Sequence, residues 1–197
     1  MSIKIAFYGE REKTGTTSNM LSLAWMMASR KPQQAVLIEG EKKRCVLWKG
    51  ASGEERFLFT DCGVGKTKRA RHRLRQTDLV VVNLPSEPES MEPYFLYEAP
   101  VKEKVFFMVG NYHGKKDELK RCMKNIYRVA EQDVGWIPYN NEFAYFLEKE
   151  RLAEFIGKYQ EKNIAEHNRC FFEEMEHSFF LLQKKIETQS NELKIWR

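Results

Sequence analysis

The chain predicts an α/β fold: a three-layer arrangement in which a mostly parallel sheet is flanked by helices and followed by a helical C-terminal extension. Two observations carry that expectation. From Ile3 to Ala24 the sequence IKIAFYGEREKTGTTSNMLSLA reads as a buried strand, a polar turn and an apolar helix in immediate succession. The runs Ala35-Val36-Leu37-Ile38, Leu79 to Val82 and Val105 to Val109 are continuously apolar, which suits strands covered on both faces by helices better than strands with one wet face. With 197 residues, 42% of them hydrophobic, the chain is long enough for one well-buried core and too short for two domains of typical size.

The first strand, turn and helix form the frame of a phosphate-binding loop. Backbone N–H groups of the turn and the positive end of the helix can hold an anion, and hydroxyls at the helix start can ligate Mg²⁺. Gly15-Thr16-Thr17-Ser18 occupies that position. The pattern G-x-x-x-x-G-K-[ST] places a Lys directly after the second Gly, and here the residue is Thr16. The frame is present and its principal cation is missing.

From Ile3 to about Ile156 the chain resembles a shortened member of the MinD/ParA family of deviant Walker A ATPases, whose loop reads K-G-G-x-G-K-T-[TS]. Alignment on Gly15 sets Arg11 on the family's signature Lys, Thr16 on the Walker Lys, Thr17 on the Mg²⁺-binding hydroxyl and Ser18 on the next one, while Glu12 and Lys13 replace the two family glycines. The run Gly15-Thr16-Thr17-Ser18-Asn19 is similar to the loop of the TadZ/CpaE pilus-assembly group. The resemblance implies ATP or ADP with Mg²⁺ as cofactors. Backbone groups around Thr14, Gly15, Thr16, Thr17 and Ser18 would hold the phosphates, and Arg11 or Lys13 would replace part of the lost Lys charge.

Later segments continue the resemblance in order. Glu39 ends the second apolar run where the family has an Asp near the γ-phosphate or attacking water. Asp61 ends the run Arg56 to Thr60 and is the Walker B candidate, because a carboxylate at a strand end can hold Mg²⁺ opposite phosphate oxygens; the alternative is a plain strand-ending turn at Asp61-Cys62-Gly63. Glu39 and Asp61 are thus the catalytic candidates, with Thr17 and Asp61 as the metal pair. Asn111, closing the run from Val105, falls on an Asn that contacts the base, and Pro138 lies in the Ile-Pro-Tyr segment placed beside the adenine.

Several segments carry other readings. Residues 42–53 suit a short edge strand and hairpin turn, in a region where larger relatives insert more structure. Gly63-Val64-Gly65-Lys66-Thr67 spells the end of a Walker A loop, but Thr60 stands where its first Gly belongs and the segment after it shows no apolar face. Lys66 would instead add cationic charge near the phosphates. Residues 66–75 hold six Lys or Arg and no acid, which suits either a solvated helix face or contact with a nucleic-acid backbone. The four cysteines are scattered without a C-x-x-C pair and read as reduced thiols; the four histidines lack metal-ligand spacing.

Residues 1–160 are expected to form the trimmed P-loop NTPase-like domain and 161–197 a helical extension. Glu148 to Lys162 carries apolar residues at helical spacing. From Ile164 to about Gln189 a stripe of Cys170 or Phe171, Met175, Phe179, Leu182 and Ile186, widened by Phe172 and Phe180, either packs on the same domain or docks on a partner. No N-terminal signal and no apolar run of membrane-spanning length stand out, and the short end at Leu193 to Arg197 lacks the cationic face of an amphipathic anchor. The expected site is therefore cytoplasmic, with recruitment to the inner face of the membrane or the cell pole through partners.

The function these residues and the resemblance imply is that of a nucleotide-binding localisation or assembly factor, at most a weak ATPase, with protein partners in a localisation or secretion assembly and a nucleotide-dependent homodimer. Two rivals stand beside it. One is a scaffold that no longer binds nucleotide, supported by Thr16 for Lys, Glu12 for Gly and Glu39 for Asp. The other is a DNA-binding partition-like protein that uses Lys66 to Arg75.

Overall fold

The computed structural model describes residues 3–9, 11–12, 14–30, 35–39, 44–48, 55–64, 68–97, 104–114, 116–158 and 164–195. The chain runs β1 (Ile3–Gly9), α1 (Thr16–Arg30), β2 (Ala35–Glu39), β3 (Arg44–Trp48), β4 (Glu55–Val64), α2 (Lys68–Arg75), β5 (Leu79–Leu84), α3 (Pro88–Tyr97), β6 (Val105–Tyr112), α4 (Lys116–Arg121), β7 (Val134–Pro138), α5 (Asn141–Glu148), α6 (Leu152–Lys158) and α7 (Glu166–Ile195). A π turn at Cys122–Ile126 continues α4.

These strands form one seven-stranded sheet in the order β3-β2-β4-β1-β5-β6-β7. Every pairing is parallel except that of the edge strand β3 with β2. Side chains alternate across the sheet with the period of two that strand geometry imposes. Ile5 and Phe7 of β1, Phe106 and Met108 of β6, and Ile137 of β7 face a core completed by α1, α5, α6 and α7. Ala6, Tyr8, Val80, Val82, Phe107, Val109 and Trp136 face the opposite core, closed by α2, α3 and α4. Burial on both faces explains why the strands read as continuous apolar runs.

Four expectations change. The strand expected to end at Thr60 runs on to Val64, with a register shift against β1 between Phe7 and Gly9, so Asp61 lies inside an irregular strand and not in a turn beyond it. The basic helix α2 does have an apolar side, since Ala70 is buried and Leu74 packs on the core of its face. The helix expected from Glu148 to Lys162 starts only at Leu152, as α6, because α5 ends at Glu148 and Glu150 between them takes φ +58°. Between β5 and β6 the sequence reading has no helix, yet α3 forms there: Pro88 takes the first helical position, where its missing N–H costs nothing, and Met91 and Tyr94 are buried.

The long helix α7 lies against the far edge of the sheet. Phe171, Phe172, Met175, Phe179, Leu182 and Ile186 are buried in the first core, whereas Cys170 and Phe180 are exposed. An edge strand presents unpaired backbone groups, and Ser178 meets both of those on Trp136: the Trp136 N–H donates to Ser178 Oγ at 2.6 Å and Ser178 Oγ donates to the Trp136 carbonyl at 2.9 Å. Such an approach needs a missing side chain. A Cβ on Gly135 would lie 2.9 Å from Ser178 Cβ and 2.5 Å from Met108 Sδ.

The residues behind this contact set a test. Ser178→Ala leaves a buried N–H and a buried carbonyl without their partner and is expected to cost about 2 to 3 kcal/mol. Gly135→Ala forces helix and strand apart and should cost at least as much. Urea denaturation of the two variants checks both, and a loss below about 0.5 kcal/mol for either, the level of an ordinary surface change, would show that α7 does not depend on this contact.

Candidate functional site

Chain connection reverses direction at β1: β2, β3 and β4 lie on one side of it and β5, β6 and β7 on the other. In open α/β sheets the crevice outside the carboxyl ends of the strands at such a reversal is where ligands bind. The loop from Gly9 to Thr16 lies there, leading from the last residue of β1 into α1.

Gly9 is required by the closeness of that loop. A Cβ on it would stand 2.4 Å from Thr14 Oγ1, 2.7 Å from Thr16 Oγ1 and 2.9 Å from the Arg11 carbonyl oxygen. The buried Thr14 hydroxyl donates to that same carbonyl at 3.1 Å and lies 3.2 Å from the Thr16 hydroxyl. Gly15 takes φ +79°, a conformation that favours glycine, and turns the chain into the helix. Its carbonyl accepts from the Ser18 hydroxyl at 2.9 Å and from the Asn19 N–H at 2.8 Å. No acidic residue stands in the first turn of α1, so nothing on the helix cancels the positive end of its dipole.

Below the loop is a buried amide chain. Asn19 Nδ2 donates to Asn83 Oδ1 at 2.8 Å, and Asn83 Nδ2 donates to the Tyr8 carbonyl at 3.2 Å. Gly110 of β6 abuts the same cluster, because a Cβ there would lie 3.0 Å from Asn19 Nδ2. This chain fastens α1, β1, β5 and β6 together at their functional ends. Sequence reasoning did not single out Asn83, although a lone amide inside the apolar run Val80-Val81-Val82-Asn83-Leu84 was the signal available.

On the β4 side the structure brings Thr17 and Asp61 together. The Thr17 hydroxyl donates to Asp61 Oδ2 at 2.6 Å. The other carboxylate oxygen accepts from the Gly63 N–H at 2.9 Å, with Gly63 at φ +59°, and Arg73 of α2 donates to the Asp61 carbonyl at 3.4 Å. One hydroxyl beside one carboxylate at an anion loop fits what Mg²⁺ takes from a protein, the remaining positions going to water and phosphate oxygens. Among the described residues no group of three or more His, Cys, Asp or Glu could enclose a metal by itself.

On the β5 and β6 side is a cleft of about 420 Å³ lined by Arg11, Glu12, Thr14, Pro85, Ser86, Glu87, Gly110, Asn111 and His113. Arg11 is half-exposed and pairs with Glu87, Nη2 to Oε2 at 2.9 Å. Asn111 reaches the cleft from the end of β6 with φ +57°, and the His113 ring lies against Tyr139, their centroids 4.5 Å apart. Between them Tyr112 is buried, and burial, helped by the Glu174 and Cys170 charges, pushes its phenol well above the ordinary range.

The candidate residues thus divide. Arg11, Thr14, Gly15, Thr16, Thr17, Ser18, Asp61 and Asn111 gather around the loop. Pro138 pairs with Tyr112 on the far side of β6 and does not line the cleft. Glu39 ends β2 opposite Thr60, one residue before Asp61, and its side chain lies outside the described residues. Lys13 and Lys66 also lie outside them. Of the basic run, Lys68, Arg71 and Arg75 are exposed on α2.

Comparison with solved structures bears on this arrangement. A candidate plasmid partition protein from Borrelia burgdorferi B31, crystallised bound to AMPPNP, superposes with a TM-score of 0.65 over 94% of this chain and 100% of its own, at 10% sequence identity. The fold is a P-loop NTPase-like α/β fold. A UDP-N-acetylmuramoyl-L-alanyl-D-glutamate–2,6-diaminopimelate ligase matches 71% of this chain and 33% of its own at a TM-score of 0.39, too distant to bear on the P-loop fold. No protein-family model and no curated protein matches the sequence. No helix among the described residues is long and apolar enough to cross a membrane.

The amide chain beneath the P-loop gives a direct test. Asn83→Ala strips the Asn19 amide and the Tyr8 carbonyl of a buried partner and is expected to lower stability by about 2 to 4 kcal/mol, read by urea denaturation. A neutral result would show that the two amides are not what fastens the loop to the sheet.

Proposed function

We propose that this chain is a nucleotide-binding localisation or assembly factor of the ParA/MinD-like kind, holding ATP or ADP with Mg²⁺ at the loop from Thr14 to Ser18. The observation that carries the reading is the Thr17–Asp61 pair at 2.6 Å at a helix N-terminus whose own first turn holds no acidic residue, at the sheet's reversal point. Support for the ligand class comes from the partition protein of like fold, whose crystals contain AMPPNP.

Each residue has a task in this reading. Backbone N–H groups at the start of α1 hold phosphate oxygens. Thr17 Oγ1 and Asp61 Oδ2 hold Mg²⁺, which neutralises phosphate charge and fixes the orientation of its oxygens. Asn111, at the cleft's β6 side, contacts the base. Arg11 carries the positive charge of the signature position, and Glu39 stands at the end of β2 for the attacking water. Phosphoryl transfer depends mainly on positioned cations, and Thr16 supplies none where the Walker Lys would stand. Turnover is accordingly slow, and the protein acts through the state it adopts with nucleotide bound, in the manner of an assembly factor. The G-T-T-S-N run favours the pilus-assembly TadZ/CpaE type among such factors.

A second reading rests on α2, whose Lys68, Arg71 and Arg75 are exposed on one short helix: contact with nucleic-acid phosphates. Binding of that kind would fall steeply with salt.

A thermal shift tests the principal reading. Mg-ATP or Mg-ADP at one hundred times its dissociation constant should stabilise the fold by about 2.7 kcal/mol, and Asp61→Asn should remove the Mg²⁺ dependence of the shift. Absence of binding at millimolar nucleotide would leave the scaffold reading standing. For the homodimer, Arg11→Ala should abolish nucleotide-dependent association while the monomer stays folded, because a guanidinium can reach across an interface to phosphate with two hydrogen bonds. Sedimentation with and without Mg-nucleotide decides it; a wild-type protein that stays monomeric with saturating nucleotide excludes the dimer switch.

A further inference from the structure

The cleft carries an anion of its own. Glu87 sits between Pro85, which follows β5, and Pro88, which begins α3, two residues whose rings fix the backbone on either side. Its carbonyl accepts from the Ser90 N–H at 3.0 Å. Both carboxylate oxygens are engaged, Oε1 by the Ser86 hydroxyl at 3.0 Å and Oε2 by Arg11 at 2.9 Å. The carboxylate is thereby aimed at the loop residue best able to meet a phosphate.

Charge at the cleft follows from that pairing. Arg11 is the sole Lys or Arg among the described lining residues, and Glu12 and Glu87 are both acidic. With Glu87 on Arg11, the guanidinium is cancelled and Glu12 remains. Pairs as exposed as this one, at 48% and 57%, hold by less than about 1 kcal/mol, so a phosphate can take Arg11 away. The displaced carboxylate nonetheless stays tethered within the cleft. Its repulsion grows with the ligand's charge, and it falls hardest on a third phosphate, the group for which Thr16 offers no counter-charge.

The geometry points to Glu87 as the residue that sets the ligand's charge class: it makes the cleft favour a nucleoside diphosphate over the corresponding triphosphate. This rests on the nucleotide reading above and assigns its specificity. Glu87 acts by holding Arg11 and by its own charge, as a positioning residue and not a catalytic one. Glu12 also lines the cleft, but no hydrogen bond ties it to Arg11.

The test is calorimetric titration of the full chain with Mg-ADP and with a Mg-bound non-hydrolysable ATP analogue, for wild type, Glu87→Gln and Glu12→Gln. Wild type should bind the diphosphate more tightly. Removing the Glu87 charge should tighten the triphosphate by about fivefold and the diphosphate by about twofold, the range that an exposed ion pair supports, and so narrow the preference. Glu12→Gln should move the ratio less. A side chain that merely shaped the loop would change both affinities together and leave the ratio fixed, which would overturn the assignment. So would a wild type that prefers the triphosphate, or a Glu12→Gln effect equal to that of Glu87→Gln. If neither ligand binds wild type or Glu87→Gln, the nucleotide reading itself fails and the specificity fails with it; comparable binding of both ligands to wild type overturns the specificity alone.

Discussion

Two buried side-chain amides hold the functional end of this sheet in register. Asn19 of α1 meets Asn83 of β5 at 2.8 Å, and Asn83 reaches the Tyr8 carbonyl of β1 at 3.2 Å. Buried amides are costly unless satisfied, so the pair tolerates only the arrangement in which helix, central strand and neighbouring strand come together at one depth. The loop that bridges β1 and α1 has its span set by that depth. Gly110 follows from it, since a side chain there would press on the Asn19 amide, while Gly9 follows from the loop itself, where a Cβ would collide with the Thr14 and Thr16 hydroxyls.

On that base the charge distribution is unusual for the anion site proposed here. A helix N-terminus and several hydroxyls face the loop, but the loop's own described cation, Arg11, is paired to Glu87. Dipoles and hydroxyls can hold an anion in place, whereas stabilising the charge that develops during phosphoryl transfer asks for positioned cations. A site built this way is suited to holding a ligand more than to consuming it. That is the physical basis for reading the chain as a factor whose bound state matters more than its turnover.

At the far edge the fold solves a different problem. β7 has no neighbour beyond it, and α7 supplies one in the form of the Ser178 hydroxyl, which both accepts from and donates to Trp136. The same helix contributes six of the aromatic and aliphatic side chains that fill the first core, Phe171, Phe172, Met175, Phe179, Leu182 and Ile186. Helix, edge strand and core are therefore one packing unit, and the ion pair between Lys185 and Asp133 at 2.9 Å adds a further tie at its rim.

The sequence by itself determined the α/β class, the positions of most strands and the strand-loop-helix frame, because each of these is written in the local period of apolar residues and in glycine and hydroxyl residues a few positions apart. It also marked Thr17 and Asp61 as partners, through likeness to a motif. What it left open depends on residues far apart in the chain. Asn19 and Asn83 are separated by 64 positions and Arg11 and Glu87 by 76, so nothing in either neighbourhood announces the other. Asp61 was read as the end of a strand since its Cys-Gly sequel looks like a turn, whereas pairing with β1 carries the strand on to Val64. Helix α3 escaped notice because Pro93 in its interior argues locally against a helix, and burial of Met91 and Tyr94 against the sheet outweighs it. Local propensity is a sum over neighbours in sequence, but hydrogen-bond partners and ion pairs are chosen by neighbours in space, and only the tertiary structure decides who those are.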